Sequence, residues 1–318
     1  MPKNLRLKIA DIVFSVGFPE NPNTILLDKN YIPFKTNEKG RFFLTVKKGT
    51  GSFFEKAACP LFATPSWDYV RYQDKDAFVF FSSVRKKRWE RVLSLNSEAN
   101  RAEIMLPSSG KEKALTRNPF SYPLDEILTI TLLSARCGSL IHSCGIRYKH
   151  KGYLFIGPSG AGKSTLSMLL KKNTNVDILS DDRVIVKSPL PNPPYKRGRE
   201  FSWKDSLTLA GGGRVGEKRY FIYGTPWSGT AGIASPQSAP LSGLFFLKKA
   251  KHNSLTRLSY SDTASRLIQY SFLPFWDRER LNACLSVSEA LSVATPAFEF
   301  SFTPDANAVD ALRKEVLI

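Results

Sequence analysis

Nine consecutive residues carry the strongest chemical signal in the chain: Gly157-Pro158-Ser159-Gly160-Ala161-Gly162-Lys163-Ser164-Thr165. They match G-x-x-x-x-G-K-[ST] and have the flanks that pattern needs. Before them runs the apolar stretch Gly152-Tyr153-Leu154-Phe155-Ile156, and after them Thr165-Leu166-Ser167-Met168-Leu169-Leu170 places apolar residues at helical spacing. A strand–loop–helix aims consecutive backbone N–H groups at a polyphosphate, and the helix N-terminus adds partial positive charge. In such a cradle Lys163 is expected to reach the β- and γ-phosphates, and the Ser164 hydroxyl to complete a Mg²⁺ shell. The loop predicts a nucleotide. It does not say what becomes of the phosphate.

Phosphoryl transfer also needs a metal ligand, a group that orients or deprotonates the nucleophile, and charge neutralisation. Asp181 and Asp182 lie 17 and 18 residues beyond Ser164, after the partly apolar run Val176-Asp177-Ile178-Leu179-Ser180. Adjacent carboxylates at a strand end point different ways, so one can serve the metal while the other meets a hydroxyl. A turn or a helix cap is the competing reading. His142 stands 15 residues before Gly157 within a strand-like run, where its imidazole could approach the γ-phosphate. The bland reading is a satisfied core histidine. Thr225 and Ser228, flanked by Gly224 and Gly229, make either a substrate-facing turn or a tight structural one. Arg183, Arg214, Lys218 and Arg219 are candidates for charge neutralisation, with solvation at the surface as the alternative for each.

The elements that must position these groups are legible in outline. Leu140 to Tyr148 reads as a strand, joined by Lys149-His150-Lys151-Gly152 to the strand entering the loop, which makes an antiparallel hairpin. Tyr122 to Arg136 reads as an amphipathic helix opened by Pro123, Asp125 and Glu126 and stopped by Gly138. Strands are expected at Val184–Val186, Tyr220–Tyr223, Leu244–Leu247 and Phe298–Phe302, and helices around 263–270, 278–291 and 308–316. The proline-rich stretch 188–199 and Gly211-Gly212-Gly213 read as loops. Residues 1 to about 115 hold short β-branched and aromatic runs, at 9–16, 24–27, 41–46 and 77–81, separated by turn signals such as 19–23 and 48–51. This is the pattern of a small, mostly antiparallel β domain, with Phe42, Phe43, Trp67 and Tyr69 as core. A boundary is expected near 107–111, giving a β-rich domain over 1–118 and an α/β catalytic domain over 119–318. No internal repeats are visible.

Bulk properties restrict the class. The 318 residues are 42% hydrophobic and 23% charged, as in a globular protein with room for two cores. No uninterrupted apolar run approaches the roughly 18 to 20 residues of a membrane span, and the N-terminus has no signal-peptide pattern, so a cytoplasmic protein is expected. Cys59, Cys137, Cys144 and Cys284 are scattered and read as free thiols. The net charge of +18 is spread evenly: 21 Lys and Arg against 12 Asp and Glu in residues 1–120, and 25 against 16 in 121–318. Its densest cluster, Arg85-Lys86-Lys87-Arg88-Trp89-Glu90-Arg91, is either a basic patch or a solvated turn. No zinc-finger spacing, RNP motif or helix-turn-helix accompanies it, which argues against nucleic acid.

The segment Leu140 to Asp182 resembles the catalytic domain of HPr kinase/phosphorylase, which has a His before the loop, a Gly-rich loop ending Gly-Lys-Ser, a short helix and an Asp-Asp-Arg run. Here these are His142, Gly157 to Ser164 and Asp181-Asp182-Arg183. Residues 122–136, Gly224-Thr225-Pro226-Trp227-Ser228-Gly229 and Phe300-Ser301-Phe302-Thr303-Pro304-Asp305 look still more like stand-alone HPr-kinase-like proteins, so the likeness spans roughly 120–318. The resemblance implies an α/β fold, the phosphoenolpyruvate-carboxykinase-like variant of the phosphate-loop fold. It implies Asp181 as general base toward a serine hydroxyl, Asp182 and Ser164 near Mg²⁺, and His142 assisting at the γ-phosphate. It also implies homo-oligomers. Where HPr kinase has an acid after the Lys-Ser pair, this chain has Thr165.

The expected function is therefore an ATP- and Mg²⁺-dependent kinase acting on a serine of a protein or peptide. The alternatives are a nucleotide-binding regulatory or scaffold module without transfer activity, and a kinase of free serine or another small metabolite.

Overall fold

The computed structural model describes residues 5–18, 27–49, 59–72, 75–82, 88–108, 118–188 and 220–315. They form a mixed α/β protein with two eight-stranded sheets and few helices. Backbone contacts divide the chain into two compact units. The first runs up to Leu132 and takes in Phe275–Arg278; the second holds the rest from Leu133 onward.

The first unit is built on a sheet in the order β1-β2-β3-β8-β7-β6-β5-β4. Its strands are β1 (Leu5–Ile9), β2 (Ile12–Gly17), β3 (Phe42–Gly49), β4 (Phe62–Ala63), β5 (Trp67–Tyr72), β6 (Lys75–Phe81), β7 (Trp89–Leu95) and β8 (Arg101–Pro107). Most neighbours are antiparallel, but β3 lies parallel to both β2 and β8. The run expected as one strand over 9–16 is broken at Ala10-Asp11, where both residues have positive φ (49° and 63°) and β1 folds back on β2. β3 alternates cleanly, so Phe42 is buried while Phe43 is half exposed and not core.

In the basic cluster at 85–91, Arg88 and Glu90 are exposed, as either surface reading expects, but Arg91 is not. Arg91 is buried, its guanidinium donating to the Ser121 carbonyl (2.7 Å) and hydroxyl (2.9 Å). Residues 85–87 lie outside the described residues, as do the turn at 19–23, most of 24–27, most of the 107–111 boundary, 189–199, Gly211-Gly212-Gly213, Arg214, Lys218 and Arg219. Helix α1 (Leu124–Ser134) forms where expected, yet it is buried along its whole length rather than on one face. Its acidic first turn is held inside: the Tyr31 hydroxyl donates to Asp125, whose other oxygen accepts the Glu126 N–H.

The second unit positions the site. It holds β9 (Gly138–Tyr148), β10 (Lys151–Ile156), α2 (Lys163–Asn173), β11 (Val176–Ser180), β12 (Arg183–Lys187), β13 (Phe221–Tyr223), β14 (Ser238–Lys249), β15 (Ser254–Arg257), α3 (Tyr260–Tyr270), α4 (Arg278–Ala294), β16 (Ala297–Phe302) and α5 (Ala306–Glu315). β9 and β10 form the expected antiparallel hairpin. β10 then pairs parallel with β14, and β9, β12, β13 and β14 are linked antiparallel, so the pairings close a ring.

Both faces of β10 are buried, which explains its unbroken apolar run. Tyr153 and Phe155 enter one core with Leu166 and Leu170 of α2 and Val309 and Leu312 of α5. Leu154 and Ile156 enter another with Leu267 of α3 and Val287 and Leu291 of α4. Burying side chains of this size stabilises by about 1.5–3 kcal/mol each, enough to hold the strand ahead of the loop rigidly. All four cysteines are free thiols. Among the described residues no helix is long and apolar enough to cross a membrane.

Candidate functional site

The site is assembled around one short stretch of β9. Ile156, the last residue before the loop at 157–165, lies opposite Ser143 on one edge of β9. On the other edge β11 and β12 follow one another along the same strand, with Ser180 opposite Gly145 and Arg183 opposite His142. Asp181 and Asp182 fill the break between them, and the Ser143 N–H donates to the Asp182 carbonyl (3.0 Å). The loop's entrance and the acid doublet thus meet across Ser143, with His142 beside both.

The loop turns through Gly160 (φ 79°) and Gly162 (φ 97°), conformations that residues with a Cβ avoid. Gly162 caps the N-terminus of α2, and a Cβ there would stand 2.8 Å from the Phe302 ring. Lys163 is only 7% exposed. Its ammonium donates to the Gly157 carbonyl (2.7 Å), the Pro158 carbonyl (3.1 Å) and His142 Nε2 (2.9 Å).

An ammonium can only donate, so in this contact His142 Nε2 accepts and Nδ1 is the ring nitrogen left to donate. Nδ1 lies 3.3 Å from Asp182 Oδ1 and donates to it. Asp182 Oδ2 accepts from Arg183 Nη1 at 2.9 Å. A continuous chain therefore runs Lys163–His142–Asp182–Arg183. The Arg183 guanidinium lies 5.2 Å over the Phe272 ring. The hydrogen bond from His142 holds the Asp182 carboxyl below its ordinary range against the opposing effect of burial, with the charges of Arg183, His142 and Lys163 adding to it in that order. Burial lowers the Lys163 ammonium from its usual value, opposed by Asp182.

Asp181 is differently placed. It is 2% exposed, and its two oxygens accept the backbone N–H groups of Gly229 (2.8 Å) and Ala231 (2.7 Å). The segment after β13 reaches it by packing against β11. At Gly224 a Cβ would lie 2.5 Å from the Leu179 carbonyl oxygen and 2.1 Å from that of Ser235, so no larger residue allows that approach. Thr225 is fully buried and donates to the Arg183 carbonyl (2.6 Å), a structural turn residue rather than one facing a ligand.

A cavity of about 920 Å³ is lined by His142, Lys163 and loop residues together with Asp181, Asp182 and the Gly229 turn. Ser159, Gly160, Gly162, Ser164 and Thr165 line it; Gly157, Pro158 and Ala161 shape the loop without lining it. Lys249, Thr230, Phe302 and Pro304 complete the wall. None of these four carried a catalytic signal in the sequence, although 300–305 belongs to the resemblance. Lys249 ends β14, and its register partner Phe302 ends β16.

The volume suits a small-molecule ligand, and the donor set suits a polyphosphate. Ser164 and Asp182, which both line the cavity, carry hard oxygen atoms of the kind that could hold Mg²⁺. No protein-family model matches this chain, and no curated protein matches it.

Proposed function

We propose that the chain is a kinase that transfers the γ-phosphoryl group of ATP to a serine hydroxyl of a protein or peptide, with Mg²⁺ as cofactor. The observation that carries this reading is the shared cavity, in which the Lys163 cradle and both carboxylates line one space. On this reading the second unit is a phosphoenolpyruvate-carboxykinase-like phosphate-loop fold, as the resemblance to HPr kinase implies. The antiparallel hairpin ahead of the loop supports it.

The loop N–H groups and the start of α2 would hold the phosphates, and Lys163 would exchange its carbonyl contacts for phosphate oxygens. Mg²⁺, held by Ser164 and Asp182, would neutralise charge on the phosphate oxygens. His142 keeps Asp182 ionised and aligned through its Nδ1 proton. Asp181 retains a second lone pair on each oxygen and would accept the proton of the incoming hydroxyl. Its two backbone bonds fix the carboxylate in place, so no reorganisation accompanies that transfer.

A second reading, a nucleotide-binding regulatory module, is favoured by one observation. Both Asp181 oxygens are already engaged by the 229–231 turn. The two separate in one experiment with full-length protein, Mg²⁺, γ-labelled ATP and a library of serine peptides. Label passing to peptide is the expected result. Lys163→Ala, which removes charge-assisted contacts worth about 1.5–3 kcal/mol, should weaken nucleotide binding by roughly ten- to a hundredfold. ATP bound without transfer to any peptide refutes the protein or peptide kinase and leaves the regulatory module or a kinase of a small metabolite, which labelling of free serine separates; no ATP bound refutes all three.

A further inference from the structure

The turn gripped by Asp181 carries a hydroxyl at its centre. Gly229 and Ala231 each donate a backbone N–H to the Asp181 carboxylate, and Thr230 stands between them. Thr230 is exposed and lines the same cavity as Lys163, Asp181 and Asp182. Three other hydroxyl residues line that cavity, Ser159, Ser164 and Thr165. All three belong to the phosphate loop itself, so they lie on the side that would hold the donor. An acceptor must approach the transferred phosphorus roughly opposite the leaving oxygen. Of these four hydroxyls, only Thr230 lies outside the loop, on the turn that the Asp181 carboxylate holds.

We infer that Thr230 is an intramolecular phosphorylation site, modified by the chain's own cavity. This rests on the kinase reading above. The Thr230 Oγ1 forms a bond to the γ-phosphorus of a nucleoside triphosphate, and the bond from that phosphorus to the β,γ-bridging oxygen breaks. The bridging oxygen leaves with the bonding electron pair as the nucleoside diphosphate. The hydroxyl proton passes to the Asp181 carboxylate.

The consequence is electrostatic. A phosphothreonine carries about −1.5 to −2 charge near neutral pH, here within one residue of both donors that hold a buried carboxylate. Like-charge repulsion would loosen the turn from Asp181. Lys163 and Lys249, which line the same cavity, offer the new phosphate cationic partners. The modified turn then occupies the space an external acceptor needs, and the unmodified turn leaves it open. Thr230 phosphorylation is thus self-inhibitory.

The test uses full-length protein with Mg²⁺ and γ-labelled ATP, first alone and then with serine peptides, and maps the label by mass spectrometry. The expected result is phosphate on Thr230 at a fractional rate independent of protein concentration. Thr230→Ser should keep the label and Thr230→Val should lose it, with nucleotide binding measured on both variants as the check on folding. Pre-labelled protein should phosphorylate peptide more slowly than unlabelled protein. Label on peptide with none on Thr230 would overturn the inference and leave the kinase reading standing. A Thr230 labelling rate that rises with protein concentration would also overturn it, since the transfer would then be between molecules. No label anywhere, with no nucleotide bound, overturns the kinase reading and this inference with it.

Discussion

Replacing Asp181 by asparagine is the obvious way to test for a catalytic base, and the structure predicts that it does more than remove one. The carboxylate accepts two backbone N–H groups, from Gly229 at 2.8 Å and Ala231 at 2.7 Å. An amide has one accepting oxygen, so in the Asp181→Asn variant the side-chain NH₂ must face one of those donors. The residue is 2% exposed, so water has little room to replace the lost acceptor. Leaving one donor unsatisfied costs about 1–3 kcal/mol. At roughly 2–4 °C per kcal/mol for a unit of about 150–250 residues, the melting midpoint should fall by several degrees. The loss should also appear locally, as faster amide exchange at Gly229 and Ala231 with little change in β9 and β10. Calorimetry and hydrogen exchange on wild type and Asp181→Asn measure both. An unchanged midpoint together with unchanged protection at 229 and 231 would refute the anchoring role. Any fall in transfer by this variant should raise KM as well as lower kcat, because the turn that borders the cavity shifts.

Two further outcomes follow from the same geometry. Gly162→Ala places a Cβ 2.8 Å from the Phe302 ring at a φ of 97°, so it should cost about 1–3 kcal/mol of stability and weaken nucleotide binding; an unperturbed melting curve would contradict that packing. The Asp182 carboxyl titrates below its ordinary value in the folded state. Its stabilisation is therefore complete above the unfolded value near 3.9 and is lost as pH falls through the lower folded value. Asp182→Asn should flatten the decline of stability with acid over that window, and denaturant titrations below about pH 4 would show it; a slope identical to wild type would mean that His142 and Asp182 are not coupled.

Much of the site was legible because it is local. The 157–165 loop, its strand and its helix are contiguous, and the hairpin of β9 and β10 needs only a two-residue turn at Lys149-His150. The adjacency of Asp181 and Asp182 to a strand end could likewise be read from apolar patterning. Other features gave no such cue. The Ala10-Asp11 turn takes positive φ without glycine, so nothing marked a break in the 9–16 run. Helix α1 looked amphipathic because it bears two acids, yet Asp125 and Glu126 are buried. The glycine-flanked turn at Thr225 fits either a substrate-facing or a structural role in sequence, and what decides for the structural one is its hydroxyl's bond to the Arg183 carbonyl 42 residues away.

By itself, then, the order of residues determined that a glycine-rich turn joins a buried strand to a helix and that two carboxylates stand at the end of a nearby strand, because backbone conformation and side-chain periodicity are set by near neighbours. Only the tertiary structure decided how the two acids differ. Asp182 turns toward His142 and Lys163, while Asp181 is claimed by N–H groups 48 and 50 residues downstream. Lys249, Thr230 and Pro304 reach the same cavity only because β14, β16 and the segment after β13 converge there. Such convergence depends on sheet pairing between distant segments, for which one sequence holds no short-range signature.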